Sequence, residues 1–182
     1  KFYGGLNNSF TYKGFDLSIF LTFSYGNEVL NATKLVTSKV GSLNYNALDV
    51  MNSSNRWMTI NSDGQKVTDP GELAALNAGK TVAAYHDAQQ GDNYIHSWAV
   101  EDASYLKLSN VTLGYTFPKK LIARVGLKNL RLYATGNNLL TWTKYSGFDP
   151  EVSTMKSGLT PGVDFGAYPL SRSFIFGLNV AF

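Results

Sequence analysis

From Phe15 to Tyr25 the sequence reads FDLSIFLTFSY. Phe15, Leu17, Ile19, Leu21, Phe23 and Tyr25 fall on one side of an extended chain, with Asp16, Ser18, Phe20, Thr22 and Ser24 on the other. A period of two held over this length is satisfied by one regular backbone, a β-strand with an apolar and a largely polar face. The same pattern closes the chain, where Phe174, Phe176, Leu178, Val180 and Phe182 oppose Ser173, Ile175, Gly177, Asn179 and Ala181. A third apolar set is Val111, Leu113, Tyr115 and Phe117. Leu106 and Leu108 are out of phase with it, and the slip near Ser109-Asn110 predicts a bulge. Leu130, Leu132 and Ala134, opposite Asn129, Arg131, Tyr133, Thr135 and Asn137, predict a strand whose polar side carries charge. Leu6 to Tyr12 also holds strand formers, and Lys13-Gly14 is enough for a tight antiparallel turn to Phe15. The expectation is an all-β chain of about five antiparallel strands.

Composition agrees. With 14% aromatic residues, 16% charged residues and 17 glycines, the chain is not built as a coiled coil, a helical bundle or a disordered segment. The absence of cysteine removes disulfides, thiolate zinc sites and cysteine nucleophiles. No run approaches the roughly 18 consecutive apolar residues of a helical membrane span, so any membrane crossing falls to strands. The opening Lys1-Phe2-Tyr3-Gly4-Gly5, without initiator Met or signal pattern, reads as a cut end, and a larger parent polypeptide is expected.

The connections alternate strictly in length. Lys13-Gly14 and Pro118 to Gly126 are short, whereas 27–102 and 139–171 are long. In an antiparallel meander both long connections then emerge at one end of the sheet, as in transmembrane barrels with short periplasmic turns and long extracellular loops. The apolar faces have the length a tilted strand needs to cross hydrocarbon, and Tyr25, Tyr115, Phe117, Phe174 and Phe182 gather toward strand ends, where interfacial girdles sit. A soluble sandwich would bury the same faces in a core. The loop asymmetry and the unbroken apolar set of the last strand favour the membrane. Within the first long connection, Asp69-Pro70-Gly71-Glu72 through Asn77 predicts a short helix capped by Asp69 with Pro70 at its first position.

Three stretches carry a family resemblance: VEDASYLKLSNVTLGYTFPKK (Val100 to Lys120), LRLYATGNNLLTWTKYSGFDPEV (Leu130 to Val152) and YPLSRSFIFGLNVAF (Tyr168 to Phe182). They resemble the closing strands of SusC/RagA-type TonB-dependent outer-membrane transporters. The opening FYGGLNNSFTYKGFDLSIFLTFSYGNEV is similar to an earlier hairpin of those barrels, and in the middle Arg56-Trp57 matches a pair that the family often carries. The resemblance implies that residues 1–182 are a C-terminal segment of a barrel of about 22 strands, without the N-terminal plug. It implies the outer membrane of a Gram-negative bacterium of the Bacteroidetes type, and uptake of oligosaccharides or peptides. It further implies a SusD-like surface lipoprotein over the outer loops, and energy from TonB-ExbB-ExbD through the N-terminal remainder of the same transporter. The terminal Phe174, Phe176, Leu178, Val180 and Phe182 are similar to the assembly signal of outer-membrane barrels.

Candidate functional residues follow from this layout. Asp16, Asn110, Asn129, Arg131 and Asn179 would face a watery lumen. Arg131 is the first candidate for a plug contact, because a guanidinium takes a carboxylate in bidentate fashion. In the outer loops, Trp57, Tyr85, Trp98, Trp142 and Tyr145 are candidates for stacking on cargo or docking a partner, beside His86, Tyr94, His96 and Phe148. No metal site is expected: His86 and His96 are too far apart for a local pair, and Asp149-Pro150-Glu151 and Asp87 to Asp92 lack calcium-loop spacing. No catalytic motif and no cofactor motif is present, and Lys119-Lys120 alone does not indicate nucleic acid. Two rivals remain, a small self-contained outer-membrane barrel acting as an adhesin or structural protein, and a soluble glycan-binding β-sandwich.

Overall fold

In a computed structural model, residues 1–40, 46–82, 84, 86–87, 97–154 and 162–182 are described. The chain divides into two units. The first comprises Lys1–Val29, Asp102–Ser153 and Ala167–Phe182, and the second Leu30–Glu101 with Thr154–Gly166.

The first unit is a five-stranded antiparallel meander. Its strands are β1 (Phe2–Tyr12), β2 (Phe15–Tyr25), β3 (Tyr105–Thr116), β4 (Asn129–Thr143) and β5 (Ser173–Ala181). β1 and β2 pair over their whole length, from Phe2↔Tyr25 to Tyr12↔Phe15. Their turn takes positive φ at both central residues, 45° at Lys13 and 90° at Gly14, the geometry whose twist matches a hairpin. β1 begins four residues earlier than its strand formers suggest. Gly4 and Gly5 lie under the rings of Phe23 and Phe20, which cover the backbone that glycine leaves bare.

The phase slip is a bulge. β3 pairs with β2 through Asn110↔Phe20 and then Leu108↔Leu21, skipping Ser109, and with β4 through Leu108↔Leu140 and Asn110↔Asn137. The skipped residue returns Leu106 and Leu108 to the face that holds Val111, Leu113 and Tyr115. On β4, Asn138 adopts φ 53°, and the strand resumes through Leu140 and Trp142 to Thr143. It therefore runs beyond the start expected for the last long connection.

Register places all apolar sets on one face. Sixteen aromatic and aliphatic side chains there are exposed, among them Leu6, Phe10, Leu113, Leu132 and Phe176. Keeping that many in water at roughly 2 kcal/mol each would forfeit about 30 kcal/mol, more than the stability of an ordinary domain. The face is built for an apolar surrounding. Aromatic clusters mark both ends of the β1–β3 band: Phe2 with Phe23 and Tyr25 at one, Phe15 with Tyr115 and Phe117 at the other. Within the first unit, Val29, Ala103 and Tyr145 form a small buried core.

The second unit is made by the central parts of the two long connections. Leu30–Asn31 pairs in parallel with Val163–Asp164. Helix α1 (Ala32–Thr37) is capped by Asn31, whose side chain accepts from Lys34 N at 3.1 Å. Helix α2 (Pro70–Leu76) starts as the sequence predicts, with Asp69 Oδ1 accepting from Gly71 N and Glu72 N at 2.9 Å each. The buried Asn77 ties its end to Met58, accepting from the amide at 2.6 Å and donating to the carbonyl at 2.8 Å. No helix among the described residues is long and apolar enough to cross a membrane.

Candidate functional site

The polar face of the meander is cross-linked by side chains. Ser18 donates to Asn7 at 3.2 Å, Thr112 and Thr135 share a hydrogen bond of 2.9 Å, and Asn110 donates to Asn137 at 2.7 Å. Asn137 in turn donates to Ser173 at 3.0 Å. These bonds join β1 to β2 and β3 through β4 to β5.

Below this belt, Arg131 of β4 reaches over β3 to Asp16 of β2. Nε donates to Oδ1 at 3.0 Å and Nη2 to Oδ2 at 2.5 Å. The residue crossed is Gly114, register partner of Asp16, where a Cβ would lie 2.5 Å from both Asp16 oxygens and from Nη2. Tyr133 lies 5.1 Å from the guanidinium and covers Gly177 of β5 so closely that a Cβ there would collide with its Cζ. Two glycines thus seat one tyrosine and one ion pair across four strands. The carboxylate that Arg131 holds is that of Asp16, on the same wall. Asn129 is exposed on this face opposite Ala181.

A second constellation, within the first unit, ties residues 149–151 to the sheet. Lys107, on the polar face opposite Thr22, is only 3% exposed. Its Nζ is 2.5 Å from Glu151 Oε2 and 4.0 Å from Asp149 Oδ2, while Tyr105 donates to Glu151 Oε1 at 2.6 Å. Asp149 Oδ1 accepts from Glu151 N at 3.0 Å. The Asp-Pro-Glu segment is therefore a clasp, its carboxylates taken by a lysine and a tyrosine. Asp102, at the mouth of β3, accepts from the hydroxyl and the amide of Ser104, which hold its carboxyl below the usual range. Ser104 is kept in place by Gly26, whose amide donates to its hydroxyl at 2.9 Å.

The aromatic candidates separate. Trp142 is a strand residue, paired with Leu106 on the apolar face and 51% exposed, so it belongs to the girdle level and not to a loop. Alternation resumes after Asn138, which carries Trp142 outward. Tyr145 is buried with Val29 and Ala103 and presents no free ring face to a ligand. Trp98 has one face occupied: Lys34 Nζ sits 4.4 Å from its ring centroid and is held by Glu101 at 2.8 Å. Trp57 is 41% exposed, its amide donating to Val82 O at 2.9 Å. Tyr85, Tyr94 and His96, the side chains of His86 and Asp87, and most of Asp87 to Asp92 lie outside the described residues. In the second unit, Thr33, Val36, Thr37, Phe165 and Gly166 line a hollow of about 200 Å³. Among the described residues, no three His, Cys, Asp or Glu side chains gather as metal ligands would.

Lys107, Tyr133, Gly114 and Lys34 were not singled out by their residue types. For Lys107 the available signal is a lysine between Leu106 and Leu108, in phase with Tyr105 and Ser109 on the polar side of the strand.

No family model matches the chain. It is 35% identical over 183 residues to TonB-dependent receptor P3 of Formosa agariphila, and 30% over 182 residues to a second TonB-dependent receptor of that organism. It is 34% identical over 111 residues to TonB-dependent receptor SusC of Bacteroides thetaiotaomicron. The Formosa alignments take in 98% and 100% of this chain, which spans about 16% of those receptors' length; the SusC alignment takes in 60% of the chain and 10% of SusC. Among solved structures, that of the RagAB peptide transporter matches 99% of the chain with a TM-score of 0.73 and 25% identity, the chain covering 17% of it. The open-open and closed-closed states of the RagAB peptide importer match with TM-scores of 0.71 each. With a two-faced meander whose apolar side is bare and receptors that align along nearly its whole length, the chain belongs to the SusC/RagA-type TonB-dependent receptors.

Proposed function

We propose that this chain supplies five adjacent wall strands and two outer connections of an outer-membrane importer. The importer takes up oligosaccharides or peptides beneath a SusD-like lipoprotein, driven through TonB. The observation that carries this is the sheet itself: its apolar face fits lipid, and its cross-linked polar face fits a water-filled lumen around a plug. The role is binding and gated passage rather than covalent chemistry.

Similarity to the open-open and closed-closed RagAB structures is equal, which supports a wall that keeps its form while other parts move. The belt of hydrogen bonds, the Arg131–Asp16 pair and the Lys107 clasp are suited to that stiffness. Arg131 engages Asp16 through Nε and Nη2, so a plug contact would use the remaining Nη1 beside the bound carboxylate. Among the described tryptophans and Tyr145, Trp57 is the one we assign to cargo or lid, since Trp142 faces outward, Trp98 has one face taken by Lys34 and Tyr145 is buried.

The test is purification of the complete protein from native outer membranes in mild detergent, with mass analysis of what accompanies it. The reading expects a barrel-and-plug polypeptide containing these peptides, together with a surface lipoprotein. Titration with peptide and oligosaccharide libraries then selects the cargo. A detergent-free, monodisperse species would overturn the proposal.

A further inference from the structure

The end of the meander that carries the short connections gathers Lys13, Lys119, Lys120, Arg124 and Lys128, all exposed. None of the five makes an ion pair among the described residues. From Pro118 to Asn129 there is no Asp or Glu, and the nearby Asp16 is held by Arg131. The sequence excess of cations, which looks scattered along the chain, is concentrated here by the fold.

The same turn displays apolar side chains. Helix α3 (Lys119–Ile122) is pinned by the buried Ile122, and the chain closes through Gly126 at φ 79° with Leu127 N donating to Ile122 O at 3.2 Å. Leu121 is left 58% exposed and Val125 71%. Phe117, the residue before Pro118 at which this turn begins, belongs to the aromatic cluster with Phe15 and Tyr115, and Lys13 Nζ lies 5.2 Å from the Tyr12 ring.

We propose that this end of the sheet is a binding site for an anionic phospholipid of the inner leaflet, with Lys119, Lys120 and Arg124 at the headgroup phosphate and Leu121 and Val125 among the upper acyl carbons. A soluble polyanion would engage the cations alone and leave two large apolar side chains in water. A phospholipid satisfies both, and the aromatic cluster makes the site continuous with the apolar band of the wall. The proposal rests on the sheet being a membrane wall.

The experiment uses the complete transporter, delipidated in detergent and titrated with phosphatidylglycerol or with phosphatidylcholine of the same acyl chains, bound lipid being counted by native mass spectrometry. Phosphatidylglycerol is expected to be retained about fivefold more strongly, and the variant Lys119→Gln/Lys120→Gln/Arg124→Gln to lose about tenfold in that binding and only about twofold for phosphatidylcholine, whose phosphate is offset by its own ammonium, so that the preference disappears. Leu121→Ser/Val125→Ser should weaken both lipids, and inorganic phosphate at equal concentration should displace neither. Equal retention of the two lipids, an unaffected triple variant, or full displacement by inorganic phosphate overturns the proposal. Flotation of the protein with membrane vesicles separates the outcomes: a protein that floats without lipid preference sinks only this site, and one that does not float sinks the membrane reading.

Discussion

Leu6 is the position at which lipid and water make opposite demands. It lies on the apolar face of β1 opposite Leu21, four residues from Phe2 and six from Tyr12, and is 53% exposed. Ten steps of about 3.4 Å at a tilt of about 45° give an apolar band of roughly 24 Å, with Leu6 near its middle. Leu6→Arg should therefore cost about 2–4 kcal/mol, roughly a 30- to 800-fold loss in the folding equilibrium. The adjacent Asn7→Arg, on the polar face, forfeits its bond to Ser18 and should cost about 1 kcal/mol. Were this face in water, arginine at a half-exposed leucine would be close to neutral. The assay is urea unfolding of the complete protein in lipid vesicles, followed by tryptophan fluorescence and by heat-dependent gel mobility. Equal costs for the two variants, or a neutral Leu6→Arg, would refute the assignment of faces.

Further expectations rest on single contacts. Gly114→Ala places a Cβ where Arg131 and Asp16 meet, and should destabilise by about 1–3 kcal/mol in the same unfolding assay, with a sub-additive double variant with Asp16→Asn because both act on one pair. Lys107→Met leaves Glu151 and Asp149 without their cation and should cost about 3 kcal/mol; the double variant with Glu151→Gln should recover part of it, and a spin label at the exposed Phe148 should report a loosened connection. Lys13→Gly, at a positive φ, should be stabilising by a few tenths of a kcal/mol and up to about 1, read as a shift of the unfolding midpoint. Asp69→Ala removes both cap bonds of α2 and should cost about 1 kcal/mol of local stability, visible as faster amide exchange at Gly71 and Glu72.

What the sequence made legible is what depends on neighbours along the chain. Alternation set the faces of β2, β3 and β5, the phase slip at Ser109 marked the bulge, and Asp69-Pro70 marked the start of α2. The reach of β4 was not legible, because Asn137-Asn138 interrupts the alternation and the resumption at Leu140 depends on pairing with Leu108. Nor was the Arg131–Asp16 pair: the residues are 115 positions apart, and their meeting requires three strands in register and no Cβ at Gly114. Tyr145 read as a loop aromatic because its burial depends on Val29 and Ala103, distant in sequence. The clasp depends likewise on Lys107 and Glu151 being brought together by the return of the chain after β4.

The most direct test of the wall assignment is a cysteine scan of β5 in the complete transporter. This segment contains no cysteine of its own. Spin labels placed singly from Ser173 to Ala181 in lipid vesicles are read for collision with oxygen, which partitions into lipid, and with a water-soluble nickel chelate. Labels at positions 174, 176, 178 and 180 should favour oxygen and those at 173, 175, 177, 179 and 181 should not, with a period of two. An absent or inverted alternation would contradict the assignment of this sheet to the wall of an outer-membrane barrel.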